Sequence, residues 1–321
     1  MPSRPTLLAD RFAWALRSGD AALDRLASAE PASRRDTLLT ALAIHDLHLA
    51  PLHELGELGR WQHHPTVAML KTSVERQFLE SLETSDTTAR CEFPEDPVAA
   101  MRVIARHDLV PPVYEWLAHD ASWDEMVAYL ALEGGPDGGF DDLVAVCQIG
   151  LSGAAKVELA RNYWDEMGNG SLAAVHTELH RQLSEAIDLP VIPRSRQPDE
   201  ALERLVLGGI LATNRWLQPE MLGALGLTEL QAGPRCRKVV AALRRLDAPE
   251  GAFPFYAVHA DIDPRHGKDW LDNAVRPYVS EHPEWADRVV RGARWRSLVN
   301  ARFFDASARW FSTRTSLTHA S

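Results

Sequence analysis

Two histidines and three acidic residues fall between His259 and Asp269 in the segment YAVHADIDPRHGKDWLD, residues 256–272. His259, Asp263 and His266 stand at i, i+4 and i+7. On an α-helix, with about 100° between residues, that spacing puts all three on one stripe. Apolar residues at this spacing build a core; two imidazoles and a carboxylate there aim at one point instead. Imidazole with carboxylate suits iron, manganese or zinc. A solvated face is the alternative, since 13 histidines in the chain make chance pairs at i, i+4 expected. Pro264 lies within the stripe, removes a backbone donor and predicts a kink there.

One helix cannot enclose an ion, so other segments must contribute. ARNYWDEMGNGSLAAVHTELH supplies Glu166 and His176, ten residues apart. On a straight helix they would be about 15 Å and roughly 80° apart. They share a site only if Gly168–Asn169–Gly170 breaks the helix, or if they serve opposite ends of a two-metal pair. Alternatively, Glu166 is a surface acid on a helix ending at Gly168, and His180 competes with His176 as a ligand. In LGALGLTELQAGPR, Glu229 sits between Leu227 and Leu230. A carboxylate on an apolar face is costly to bury unless paired or bound to a cation, and facing solvent is its other option.

These residues need elements to hold them, and helical periodicity runs almost throughout, with no convincing alternating strand. The chain reads as all-α, about a dozen helices. The polar stretch TSDTTARCEFPEDP separates an N-terminal helical extension, residues 1–95, from a domain spanning 96–321. Asp120 or Ser122 is the expected N-cap of the helix that ends near Glu133. A break is expected near Ser152 and Gly153, and PEMLGALGLTELQAG and PRCRKVVAALRRL read as successive helices parted at Gly233–Pro234. The chain has no Glu-x-x-His, which disfavours a ferritin-type diiron bundle. It also lacks a phosphate-binding loop, a His-Glu-x-x-His and a Gly-x-Ser-x-Gly elbow. The ten tryptophans, Trp116, Trp164, Trp216, Trp270 and Trp295 among them, read as core or interface anchors.

With 321 residues, 45% of them hydrophobic, the chain can bury a sizeable core. A net charge of −11 with interspersed signs argues against nucleic-acid binding. Three widely spaced cysteines, Cys91, Cys147 and Cys236, fit a reducing compartment. No apolar run suggests a signal peptide or a membrane span, so a cytoplasmic protein without a membrane partner is expected.

Taken together, the segments resemble the heme-oxygenase-like diiron oxidases, the iron-containing redox enzyme family. That family carries Glu and His on a first core helix, Glu on a second and His-x3-Asp-x2-His on a third. His259, Asp263 and His266 match the third element, Glu229 lies 30 residues before His259 as the second requires, and Glu166-x9-His176 resembles the first. The likeness covers roughly residues 120–305. It implies a heme-oxygenase-like helical bundle and six ligands for two Fe(II) ions, with O2 as cosubstrate and an external reductant.

In that scheme Glu166 and Glu229 are bridging or terminal carboxylates. His176 and His266 are end ligands, and His259 with Asp263 completes the second metal. Some members use a further upstream carboxylate, for which Glu133 is the candidate. No catalytic residue beyond the ligands is implied. The x9 spacing is that of the amine-oxidising branch, which implies N-oxygenation of a small-molecule amine or amino acid in specialised metabolism. Oxidative decarboxylation or C–C cleavage of an amino or fatty acid is the alternative, and a non-catalytic helical binding protein is another. Arg161, Trp164 and Arg215 lie near ligand-bearing segments as candidate substrate contacts or plain surface residues. A homodimer is the expected assembly.

Overall fold

The computed structural model describes residues 7–86, 93–133 and 139–318, with side chains to residue 311. Among these residues the secondary structure is helical and no strand occurs. The chain starts with α1 (Leu8–Ser18), α2 (Asp20–Asp24), α3 (Arg34–Leu49), α4 (Leu52–Leu55) and α5 (Pro65–Ser85). It continues with α6 (Pro97–His107), α7 (Pro112–His119), α8 (Trp123–Glu133), α9 (Phe140–Cys147), α10 (Gly153–Glu166) and α11 (His176–Ala186). Then come α12 (Asp199–Thr213), α13 (Gln218–Arg245), α14 (Phe253–Asp269), α15 (Arg276–Glu281) and α16 (Ala286–Thr318). None of these helices is long and apolar enough to cross a membrane. Cys147 and Cys236 are free thiols, and Cys91 lies outside the described residues.

The helices form two compact units, one within Met1–Arg90 and Pro193–Arg215, the other within Cys91–Ile192 and Trp216–Ser321. This division departs from a single boundary at residue 95, because α12 belongs with the N-terminal helices. Ala201, Leu202, Val206, Leu207, Ile210 and Leu211 of α12 are all buried, so the helix needs apolar cover on most of its circumference. It obtains that cover from α3. Gly209 lies so close to the His45 ring that a Cβ there would come within 2.2 Å of Nδ1. Glu203, fully buried on α12, is paired with Arg34, and Arg35 bonds Asp199 at 2.5 Å. In the same unit the buried His45 Nε2 meets Glu75 Oε1 at 2.8 Å, and Lys71 and Asn214 both donate to Glu75 Oε2, at 3.0 and 3.1 Å.

The second unit is organised around α13, which packs against α14, α16, α7 and α6. Contrary to the sequence reading, α13 does not stop at Gly233–Pro234 but runs 28 residues with Pro234 inside it. A mid-helix proline forfeits a hydrogen bond and strains the preceding turn. Tertiary bonds hold the helix through it. Gln231 Nε2 donates to Ala105 O at 3.2 Å, Arg235 Nη2 to Asp108 O at 2.6 Å, and Arg245 Nε to Ala118 O at 3.0 Å.

Glycines let α14 approach α13 closely. A Cβ at Gly233 would fall 2.8 Å from Pro264 Cδ, one at Gly267 would fall 2.9 Å from Leu230 Cα, and one at Gly226 2.6 Å from Trp270 Cδ1. Pro264 leaves the carbonyl of Ala260, four residues earlier, without its helical donor. Arg237 of α13 supplies the missing bond, its Nη1 donating to Ala260 O at 2.8 Å. Beyond α14 the helix widens into a π-helical stretch, Trp270–Val275, before α15. Such widened turns recur at functional sites.

Candidate metal centre

The trio on α14 keeps its single stripe in the structure. Asp263 and His266 are buried, and His259 is partly buried. Glu229 faces them from α13, only 3% exposed, so its carboxylate is inside the unit rather than in solvent. The close approach of these two helices sets how far Glu229 lies from His266: Oε2 is 3.6 Å from Nδ1.

Glu166 and His176 reach the same place by the break that their spacing demands. Helix α10 ends at Glu166, and Gly168, Asn169 and Gly170 follow with φ of 60°, 53° and 86°. Left-handed conformations in succession suit glycine and are tolerated by asparagine. The segment then folds back so tightly that a Cβ on Gly168 would lie 2.4 Å from the Ala174 carbonyl carbon. Helix α11 begins at His176, whose Nδ1 comes to 2.7 Å from Glu166 Oε2.

Two groups of potential ligand atoms result, each with its atoms within 4.8 Å of one another. Glu166, His176 and His259 form one, and Glu166, Glu229 and His266 the other. Glu166 belongs to both. Asp263 stands beside the second, its Oδ1 4.0 Å from His266 Nδ1. The pairing of His259 with Asp263 expected from sequence is therefore replaced: His259 groups with His176, their rings 4.5 Å apart, and Asp263 lies with His266.

Glu133, at the end of α8, enters neither group. Ser122 and Glu125 cap the start of α8 reciprocally, and at its far end the buried Tyr114 hydroxyl donates to Glu133 Oε1. His180 stands apart as well, packing its ring edge-on against Phe255 at 5.0 Å. Trp164 is 53% exposed and rests against Gly170, Arg161 reaches solvent beside Glu158, and Arg215 belongs to the first unit.

Two residues of α10 that the sequence reading passed over touch the centre. Asn162 Nδ2 donates to Glu229 Oε1 at 2.8 Å and lies 3.3 Å from His266 Nδ1. Its position four residues before Glu166, on the same helix face, was a signal that could have been read. Asp165 Oδ2 lies 2.8 Å from His266 Nε2 and 3.3 Å from Arg265 Nη2. Nothing local marks Asp165 out, because its partners stand about a hundred residues later in the chain.

The electrostatics describe a site short of positive charge. Burial lowers His259, with the charge of His176 adding to it, to about 4, so its imidazole is neutral and keeps a lone pair. Its Nδ1 is 2.6 Å from Phe255 O, which leaves Nε2 as the free ring atom. Burial pushes His266 down too, but Glu229 and Asp165 outweigh that and raise it to about 9. Burial drives the Asp263 carboxyl far above its usual range, and the charges of Glu229 and Glu166 push the same way. Burial also raises Asp141 on α9, with Asp142 and Glu166 contributing.

A proton on His266 thus offsets part of the buried negative charge, and Asp263 is pushed toward its uncharged form. Metal cations do the same job more completely. At the centre three buried polar atoms have no hydrogen bond: Asp263 Oδ2, Asn162 Oδ1 and His176 Nδ1, the last close to Glu166 but not bonded to it. Atoms that crowd together without bonding each other are arranged for a common third partner. Carboxylates mixed with imidazoles suit iron. The residues present fit such an ion.

A family model for iron-containing redox enzymes matches residues 128–301, more than half of the chain and every candidate ligand. Two crystal structures of a CADD-like protein of unknown function from Nostoc punctiforme are similar at 17% identity. The first, at 2.00 Å resolution, covers 73% of this chain and 97% of its own with a TM-score of 0.48. The second, at 1.35 Å, covers 73% and 94% with a TM-score of 0.43. No curated protein matches the chain.

Proposed function

Because the chain belongs to the iron-containing redox enzyme family, we propose that it is an O2-dependent non-heme diiron oxygenase acting on the nitrogen of a small-molecule amine. The observation that carries the two-ion reading is the pair of ligand groups that meet at Glu166. Glu166, His176 and His259 would hold one ion, and Glu166, Glu229 and His266 the other, with Asp263 beside the second. Bound there, two ferrous ions supply the O2 activation that side chains alone lack, drawing on an external reductant. The amine substrate class rests on the Glu166-x9-His176 spacing and its likeness to the amine-oxidising branch.

The protein's own part is to hold geometry and protons. Nδ1 of His259 is engaged by the Phe255 carbonyl, so Nε2 is offered inward. His266 directs Nε2 at Asp165, so Nδ1 is offered inward. Asp263 and His266 give up their protons when cations arrive, which couples loading to proton release. The burial of Glu166, Glu229 and Asp263 excludes bulk water that would otherwise compete for open positions.

The test loads the full chain anaerobically with Fe(II), measures the stoichiometry, then admits O2 with candidate amines and amino acids and reads product masses. Uptake of two ions per chain and products gaining one or two oxygen atoms on nitrogen support the reading. Products that lose CO2 or ammonia replace N-oxygenation with decarboxylation or C–C cleavage. A chain that takes up no iron ends the proposal and leaves a helical binding protein.

A further inference from the structure

Helix α10 presents Asn162, Asp165 and Glu166 at i, i+3 and i+4, and all three reach the centre, though only Glu166 falls in a ligand group. We propose that Asp165 and Asn162 are positioning residues: Asp165 holds the His266 ring with Nδ1 turned inward, and Asn162 holds Glu229 against that same ring. The inference rests on the iron-site reading above and extends it to residues that do not touch the ions.

The geometry for Asp165 is specific. A ligating imidazole is oriented, and its tautomer fixed, by what its other N–H donates to, and a carboxylate there also raises its basicity. Asp165 Oδ2 stands 2.8 Å from His266 Nε2. Asp165 is 19% exposed at its side chain, so its charge is partly shielded from water. The side chain of Asn169, within the left-handed Gly168–Gly170 turn, also favours the charged form of Asp165. That turn brings His176 back to Glu166. One carboxylate therefore faces the ring of the second ligand group from beside the loop that delivers the first.

Asn162 does the complementary task from one turn earlier. It is 3% exposed, and its amide donates to Glu229 Oε1 at 2.8 Å while standing 3.3 Å from His266 Nδ1. With Oε1 engaged, Glu229 keeps Oε2 for an ion. Arg265 also bonds Asp165, but its side chain is 66% exposed, and the pair contributes little through water. Arg265 is the natural control.

The probe is Co(II), titrated anaerobically into the full-length protein and followed by visible absorption, which reports ligand number and geometry. Asp165→Ala is expected to weaken one of two binding events by about 10- to 100-fold and to alter its spectrum. Asp165→Asn, whose amide oxygen still accepts from Nε2, recovers most of that loss, and Arg265→Ala binds as the parent does. Asn162→Ala weakens the same event by about tenfold. Circular dichroism establishes that each variant is folded, and if Asp165→Ala is not, Asp165→Leu takes its place beside Asp165→Asn. Unchanged affinity and spectrum in a folded Asp165 variant lacking the acceptor overturn the positioning role while leaving the iron site standing. A parent protein that binds no Co(II) overturns both.

Discussion

Helix α13 carries two buried glutamates, nine residues apart, that meet opposite surroundings. Glu220 is fully buried, with Arg288 Nε at 2.6 Å and Nη2 at 2.7 Å and Arg291 in contact as well. Small residues make that end close: a Cβ at Gly292 would lie 1.9 Å from Glu220 O. Glu229 is just as inaccessible, yet its neighbours are an amide at 2.8 Å and the His266 ring at 3.6 Å, and its charge and that of Glu166 push the nearby Asp263 carboxyl upward. Glu220 is neutralised by the chain's own cations and is architecture. Glu229 has only His266, which it shares with Asp165, and the shortfall is what a metal ion would fill. Burial of an acid alone does not identify a site; the sign of what surrounds it does. In the first unit, Glu75 sides with Glu220, since Lys71, His45 and Asn214 surround it.

The contrast breaks most readily at the carboxylate common to both ligand groups. Glu166→Ala should abolish uptake of both ferrous ions, whereas His259→Ala should retain about one per chain, both measured by colorimetric iron analysis after anaerobic loading. Equal stoichiometry in these two variants would mean that Glu166 is not shared. Next in size, Glu220→Ala should lower chemical stability by about 2–3 kcal/mol, below the value for a fully buried pair because both arginines reach solvent. Iron bound per folded chain should stay at the parent level; a drop would erase the distinction between the two ends of α13.

Adding a methyl group between the ligand-bearing helices should act on both properties. Gly233→Ala pushes a Cβ against Pro264, which costs about 1–3 kcal/mol by overpacking and should also weaken iron binding, read by unfolding and by competition with a chelator. Smaller still, Asp263→Asn removes an acid whose charged form is opposed by burial and by the charges of Glu229 and Glu166. The metal-free protein should be as stable as the parent or slightly more so, and iron uptake should fall. A clear loss of metal-free stability would show Asp263 to be structural.

The finest test is pH. At Glu75 burial acts upward, but the hydrogen bond and charge of His45, with those of Lys71, prevail and lower its pKa below the usual 4.5. The stability it contributes is complete above about 4.5 and is lost as pH falls through the depressed value. Glu75→Gln should therefore flatten the acid limb of a stability–pH curve, and an unchanged limb would remove Glu75 as a compensated group.

The all-α class and the His259–Asp263–His266 stripe were legible in the chain because their signals are local, whereas Glu166, His176 and Glu229 stood out as a set only through the family resemblance. His259, Asp263 and His266 share a face through spacing alone, and the Gly-Asn-Gly break was a geometric requirement of joining Glu166 to His176. The continuity of α13 through Pro234 was not legible, since the bonds that sustain it come from carbonyls between Ala105 and Ala121. Nor was the allegiance of α12, whose apolar circumference signals that it needs cover but not which helices provide it.

Residue types and periodicity thus marked out candidate side chains and the helix stripe that His259, Asp263 and His266 share, because helix geometry repeats every few residues. Tertiary structure alone decided that Glu166 faces two groups at once, that His259 joins His176 rather than Asp263, and that Asp165 braces His266. Those outcomes depend on contacts across about a hundred residues, where the closeness of two helices is set by which glycines meet and no local pattern records the pairing.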